Sequence, residues 1–337
     1  MIPEGLVLLT SIAMAVAVVR LARRKALVQE MPAVEALART DVVCVDKTGT
    51  LTDPGMSLRD VIPLPGANDA DVRQVLGALG VADPRPNPTM DALRHACPDP
   101  GWKLLDSVPF SSARKWSAAT YDHVFIVTAA PEMVIVDVDQ RPWWPQASEY
   151  ADGGARVLVV GRTAAPPSAD VPLPPVTELA VVVIDQQLRA EAAPTVAFFG
   201  QQDVAVKVIS GDNAATVGAI ARRAGVPSAD DPFDARELPD TMDAMGDELE
   251  THSVFGRVTP EQKRHMVDAL QQRGHTVTMT GDGVNDVLAL KRADLGIAMG
   301  SGAPATRAVA QIVLLDNKWS TLPQIVFEGR RVLGNIE

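Results

Sequence analysis

Three short polar clusters each follow an apolar run, and their residue types fit phosphoryl chemistry. Asp46-Lys47-Thr48-Gly49-Thr50-Leu51-Thr52 follows Val42, Val43, Cys44 and Val45. Ser210-Gly211-Asp212 follows a run ending in Ile209, and Asp282-Gly283-Val284-Asn285-Asp286 follows a run ending in Thr280 and Gly281. In an open α/β sheet, reacting groups sit at the carboxyl ends of strands, so Asp46 is placed as a nucleophile would be. A carboxylate attacking phosphorus needs a divalent cation to neutralise the incoming anion. Magnesium takes one or two protein carboxylates plus substrate and water oxygens; Asp46 and Asp282 can supply them. The Ser210 hydroxyl, the Gly211 amide and Lys263 can hold phosphoryl oxygens, with Asp212 in the same cluster. Asn285 and Asp286 can complete the outer shell or orient Lys47.

The elements that must hold these groups are legible as alternating strands and helices. Buried runs at 180–184, 204–209, 275–279, 295–299 and 312–315 alternate with helical stretches at 192–202, 214–224, 260–272 and 287–292. Such alternation argues a doubly wound parallel sheet. Thr259 and Pro260 open the helix that carries Lys263, as a cap and a first-turn proline do. The sheet is interrupted after its first strand by about a hundred residues of different texture, read as an inserted α+β domain. Within it, 71–79 and 90–95 are helical, and 117–121 with 124–127 alternate like a hairpin turning at Asp122-His123. Residues 53–67 read as a linker; 142–145 and 166–175 read as loops.

The bulk numbers limit the partners. The chain has 337 residues and a formal net charge of −11, which argues against general nucleic-acid binding but leaves room for a local basic pocket for a nucleotide. Two cysteines, Cys44 and Cys97, are too few for a disulfide framework. Residues 2–19 are almost wholly apolar and close on Arg20, Arg23, Arg24 and Lys25. That pattern is expected to be part of a membrane helix with a cytosolic flank, slightly short of the roughly 20 residues a full span needs. Residues 21–38 read as its amphipathic continuation into a stalk helix interrupted at Pro32.

One absence narrows the chemistry. Many phosphatases of this architecture carry a second acid two residues after the nucleophile, which protonates the leaving group and then activates water. Here that place is Thr48, so an acyl phosphate on Asp46 should be long-lived, which suits energy storage better than simple turnover.

The Asp46–Thr52 stretch resembles the phosphorylation signature of P-type cation-transporting ATPases, and Thr280-Gly281-Asp282-Gly283-Val284-Asn285-Asp286 resembles their hinge motif. The resemblance implies a haloacid-dehalogenase-like phosphorylation domain at 39–55 and 184–320, a nucleotide-binding domain at 56–183, and a partial transmembrane helix at 1–20. A stalk at 21–38 and another at 321–337, entering the next membrane helix, complete the implied organisation. It also implies ATP, Mg²⁺, an aspartyl phosphate on Asp46, and a multi-pass cell-membrane protein whose catalytic domains are cytoplasmic. By the same resemblance, the Thr48 backbone carbonyl and Asp282 ligate Mg²⁺, and Lys263 binds phosphate. Phe110 stacks on adenine, Lys115 reaches the nucleotide, and Arg156 contacts the ATP phosphates. Pro3-Glu4-Gly5-Leu6 is similar to the unwound point of the fourth membrane helix in the calcium-type branch, where Glu4 would ligate the transported cation, expected to be Ca²⁺.

This sequence departs from the family in two places. The usual Lys-Gly-Ala-Pro-Glu reads Thr128-Ala129-Ala130-Pro131-Glu132. The usual Asp-x-x-Arg reads Gln186-Gln187-Leu188-Arg189, leaving Arg189 as the expected nucleotide contact. The actuator's Thr-Gly-Glu is absent, so the chain is expected to be a fragment. A soluble haloacid-dehalogenase-like phosphatase and a non-catalytic nucleotide-binding module stand as alternatives.

Overall fold

The computed structural model describes residues 4–334 except Pro54, Ser112, Ala113 and His123, with side chains described from residue 11, Leu333 excepted. Pro3 and the Glu4 side chain lie outside these residues, and the expected cation site lies outside with them. The chain forms two compact units, Met1–Asp53 with Leu188–Glu337, and Pro54–Gln187.

The first unit is built on an eight-stranded sheet in the order Ala26–Val28, Ile312–Leu314, Leu295–Met299, Val277–Gly281, Val42–Val45, Ala205–Ile209, Val254–Gly256, Phe233–Asp234. Every neighbouring pair is parallel except the edge strand Ala26–Val28, which runs antiparallel to Ile312–Leu314. Val42–Val45 is buried along its whole length because helices cover both faces, as parallel sheets require. The first parallel strand in sequence is therefore central in space. Its neighbours are the strands that end at Ile209 and Gly281, which sets the strand-order reversal beside Asp46.

Several expectations are corrected here. Residues 21–38 are not one stalk helix: the helix Glu4–Arg23 ends, Lys25 turns through a left-handed φ of 64°, and Ala26–Val28 becomes an edge strand before the helix Ala33–Arg39. A strand of three residues is too short to interrupt the helical spacing of the apolar residues around it. Pairing with the otherwise open edge of Ile312–Leu314 decides it. Strands Val254–Gly256 and Phe233–Asp234 were not expected, because two or three residues are too few to show a period. Among the described residues no helix is long and apolar enough to cross a membrane. The span expected at 1–20 falls half on residues whose side chains are not described.

The second unit is a six-stranded antiparallel sheet in the order Ser57–Pro63, Val176–Asp185, Arg156–Thr163, Val124–Ala129, Trp116–Tyr121, Leu104–Val108. Helices Asp69–Val81 and Pro88–Ala96 cover one face. The buried run at 180–184 thus belongs to this sheet and not to the parallel one. A strand apolar on both faces carries no alternation to say which sheet it enters. The supposed linker 53–67 contains the edge strand Ser57–Pro63, where a proline is tolerated because one side of the strand has no ladder. The proline-rich stretch at 142–145 opens the helix Trp144–Asp152 rather than continuing as loop.

One surface cluster in the first unit has a pH signature. His275 Nδ1 lies 2.9 Å from Asp41 Oδ2, and Nε2 lies 2.8 Å from Glu250 Oε1. Burial works against the imidazolium, but the Glu250 and Asp41 carboxylates outweigh it and raise the pKa above 6.5. A raised histidine pKa stabilises the fold below the unfolded value and loses that contribution as pH rises through the folded value. His275→Gln is expected to cost about 1 kcal/mol at pH 6 and close to nothing at pH 9, read by denaturant unfolding at both.

Candidate active site

Asp46 leaves the central strand with its amide donating to the Thr280 carbonyl of the neighbouring strand (3.1 Å). Its Oδ2 accepts from the Thr48 amide (3.2 Å), an Asx-type turn that fixes the carboxylate. Residues Lys47–Leu51 then wind as a wide turn broken at Thr48 and Gly49, and the Thr52 amide closes it on the Lys47 carbonyl (3.1 Å). The turn needs glycine at position 49 twice over. Its φ is 73°, and a Cβ there would lie 1.9 Å from Asp282 Oδ2. Gly49→Ala is expected to destabilise the first unit by about 2–4 kcal/mol, from the left-handed backbone and the displaced carboxylate. It is also expected to displace Asp282 and remove any Mg²⁺-induced rise in melting temperature, checked by melting curves with and without MgCl₂.

Lys263 reaches the same point from the helix Pro260–Gln272. Thr259 caps the helix with Pro260 in the first turn, as the sequence implied, and Gln262 completes a reciprocal capping box with Thr259. Met266, Val267 and Leu270 bury the face on which Lys263 also lies, so the helix registry aims the ammonium inward. Lys263 Nζ donates to Asp46 Oδ1 (2.6 Å) and to Asp286 Oδ1 (2.6 Å). Burial works against this ammonium, but the Asp46 and Asp286 charges outweigh it and raise its pKa.

Asp282 follows the strand Val277–Gly281, and its carbonyl accepts from the Ala303 amide (2.8 Å). Asp286 folds back beneath it: its Oδ2 accepts from the Gly283 amide (3.2 Å), and Gly281 makes room, since a Cβ there would lie 2.5 Å from that oxygen. Asp46, Asp282 and Asp286 each bring one carboxylate oxygen within 4.8 Å of the others. Burial raises the Asp46 pKa from 3.8 to about 6 despite Lys263. Burial and the Asp286 charge raise that of Asp282. Three acids facing one ammonium leave surplus negative charge in a poorly solvated site. That set of three carboxylates fits a hard divalent cation.

The remaining expected residues divide. Lys47 is buried and pairs with Asp212, and Asp286 pairs with Lys263. Ser210 is buried at its strand end, and its hydroxyl accepts from the Asp212 amide (3.3 Å). Gly211 and Asn285 are exposed beside these clusters. Arg189 belongs to the first unit and donates to the carbonyls of Gly49 (2.9 Å), Thr52 (3.2 Å) and Asn317 (2.8 Å). It is a strut that pins the Asp46 turn. Sequence reasoning also missed Gly49 as the packing partner of Asp282; its place three residues after the nucleophile was the only local signal.

In the second unit, Phe110, Lys115 and Arg156 line one cavity of about 430 Å³, together with Asn87, Thr89 and Glu132. Phe110 is exposed there, Lys115 Nζ pairs with Glu132 Oε1 (3.1 Å), and Arg156 contacts the Thr89 hydroxyl. An exposed aromatic ring with two cations at one opening suits a planar, anionic ligand.

A family model described as a haloacid dehalogenase-like hydrolase matches residues 40–294. The protein named calcium-transporting ATPase CtpE in Mycobacterium tuberculosis (strain CDC 1551 / Oshkosh) is 52% identical, matching 100% of this chain and 42% of its own length. The probable cation-transporting ATPase exp7 of Streptococcus pneumoniae is 39% identical, over 100% of this chain and 43% of its own. The chain therefore spans less than half the length of these curated relatives. A crystal structure of a zinc-transporting PIB-type ATPase in its E2.Pi state superposes with a TM-score of 0.77 at 24% identity, covering 99% of this chain and 48% of that one. At that identity the likeness speaks to the fold alone.

Proposed function

Because the chain belongs to the haloacid dehalogenase-like hydrolase family, we propose that it is the catalytic part of a P-type ATPase that moves a cation, Ca²⁺ in our reading, across a cell membrane. The observation that carries this reading is Asp46 held at the end of the central strand by Lys263, facing Asp282, with Thr48 where a second acid would stand. The names of the relatives support cation transport, and calcium in particular.

Lys263 and the Thr48 amide orient the Asp46 carboxylate, and Lys263 offsets charge on an incoming phosphoryl group. Asp282, Asp46 and the Thr48 carbonyl would hold Mg²⁺, which supplies charge neutralisation when bound. Ser210 and Gly211 stand at the next strand end, where they can donate to phosphoryl oxygens. Phe110, Lys115 and Arg156 would hold ATP in the second unit. With no carboxylate two residues after Asp46, nothing at that position activates water, so a phosphoryl group on Asp46 persists.

The test is labelling with γ-labelled ATP and MgCl₂. An acid-stable, hydroxylamine-labile label on Asp46 is expected. Steady release of phosphate from small phosphate esters would instead make the chain a phosphatase. ATP binding with neither outcome would make it a nucleotide-binding module.

A further inference from the structure

We propose that Ser117 and Thr128 read the base in the nucleotide cavity, and that they accept either purine. This rests on the nucleotide reading of that cavity and goes beyond it. The two residues stand directly opposite each other on the antiparallel strands Trp116–Tyr121 and Val124–Ala129, so their side chains share a face. Both line the cavity, and they are only 6% and 3% exposed. Neither hydroxyl has a hydrogen-bond partner among the described residues. A buried hydroxyl without a partner costs about 1–3 kcal/mol, so two side by side in one cavity wall call for a ligand that repays them.

The surroundings fix which part of a nucleotide meets them. Lys115 and Arg156 are exposed, which keeps phosphates at the opening, whereas Met90, Val157 and Leu158 line the same cavity and suit a ring. A serine or threonine hydroxyl both donates and accepts, and turns about its own bonds to do either. Adenine presents a donor (the 6-amino group) beside an acceptor (N1). Guanine presents an acceptor (O6) beside a donor (N1–H). Two rotatable hydroxyls satisfy both orders, where a fixed donor such as a lysine satisfies one. The base edge is thus paired without choosing between the two purines.

Calorimetric titration of the chain and of its Ser117→Ala/Thr128→Val variant with ATP, GTP and purine riboside triphosphate (which lacks the exocyclic group) tests this. The wild-type chain is expected to bind ATP and GTP within about 3-fold of each other, and ATP about 5-fold tighter than the purine riboside analogue. In the variant, ATP and GTP are expected to weaken about 5- to 10-fold and the analogue less than about 2-fold, so the preference disappears. The nucleotide-free melting temperature should hold or rise, because two unpaired buried polar groups are gone; this separates base reading from a folding defect. An unchanged ATP-to-analogue ratio in the variant, or strong rejection of GTP by the wild-type chain, overturns the proposal while leaving nucleotide binding intact. Failure of the wild-type chain to bind any of the three overturns the nucleotide reading itself.

Discussion

Replacing Asp46 by asparagine is expected to remove the acid-stable label from γ-labelled ATP by about 10⁴-fold or more, since Asp46 is the carboxylate that Lys263 and the Thr48 amide orient at the strand end. The same variant is expected to be more stable than the wild-type chain at neutral pH without Mg²⁺. Burial lifts the Asp46 pKa from 3.8 to about 6. Between those values the folded chain keeps a proton that the unfolded chain has released, so stability falls as pH rises across that window. Above it, the ionised carboxylate costs about 1–3 kcal/mol. The amide side chain of the variant carries no such charge, while Lys263 keeps Asp286 as its partner. Melting curves should therefore separate the two proteins at pH 7.5 and converge near pH 4. A retained label would sink the assignment of the nucleophile, and a less stable variant at pH 7.5 would sink the electrostatic account of the site.

Lys263→Met is expected to fail in both respects. The ammonium is buried between Asp46 and Asp286 at 2.6 Å from each. Its removal leaves two buried carboxylates without their shared ammonium, a loss of about 3–5 kcal/mol, and takes away the side-chain cation that offsets phosphoryl charge. Adding Asp286→Asn removes one of the stranded charges. The double variant should regain roughly half of the lost stability in urea unfolding and still take no label. Recovery of the label together with stability would make Lys263 a structural residue only.

The sequence alone determined the local units of this site. The apolar runs ending at Asp46, Ser210 and Asp282 specify strand ends by composition. Thr259 as cap with Pro260 in the first turn specifies where the Lys263 helix begins. These are decided within a few residues of chain, so they are legible there. The resemblance in two long motifs named the chemistry, and Thr48 narrowed it.

Only the tertiary structure decided which groups meet. Val42–Val45 lies between strands that come far later in the chain, which brings the three polar clusters together. Strand order depends on long-range pairing, and no local pattern encodes it. The same holds for side-chain partners: Lys47 takes Asp212, Lys263 takes Asp46 and Asp286, and Arg189 takes three carbonyls of the first unit. Val176–Asp185 pairs with Ser57–Pro63 and Arg156–Thr163 in the antiparallel sheet, a choice its pattern leaves open because a strand buried on both faces fits either sheet. The opposition of Ser117 to Thr128 arises from hairpin register, and their unpaired hydroxyls appear only once the surrounding side chains are in place.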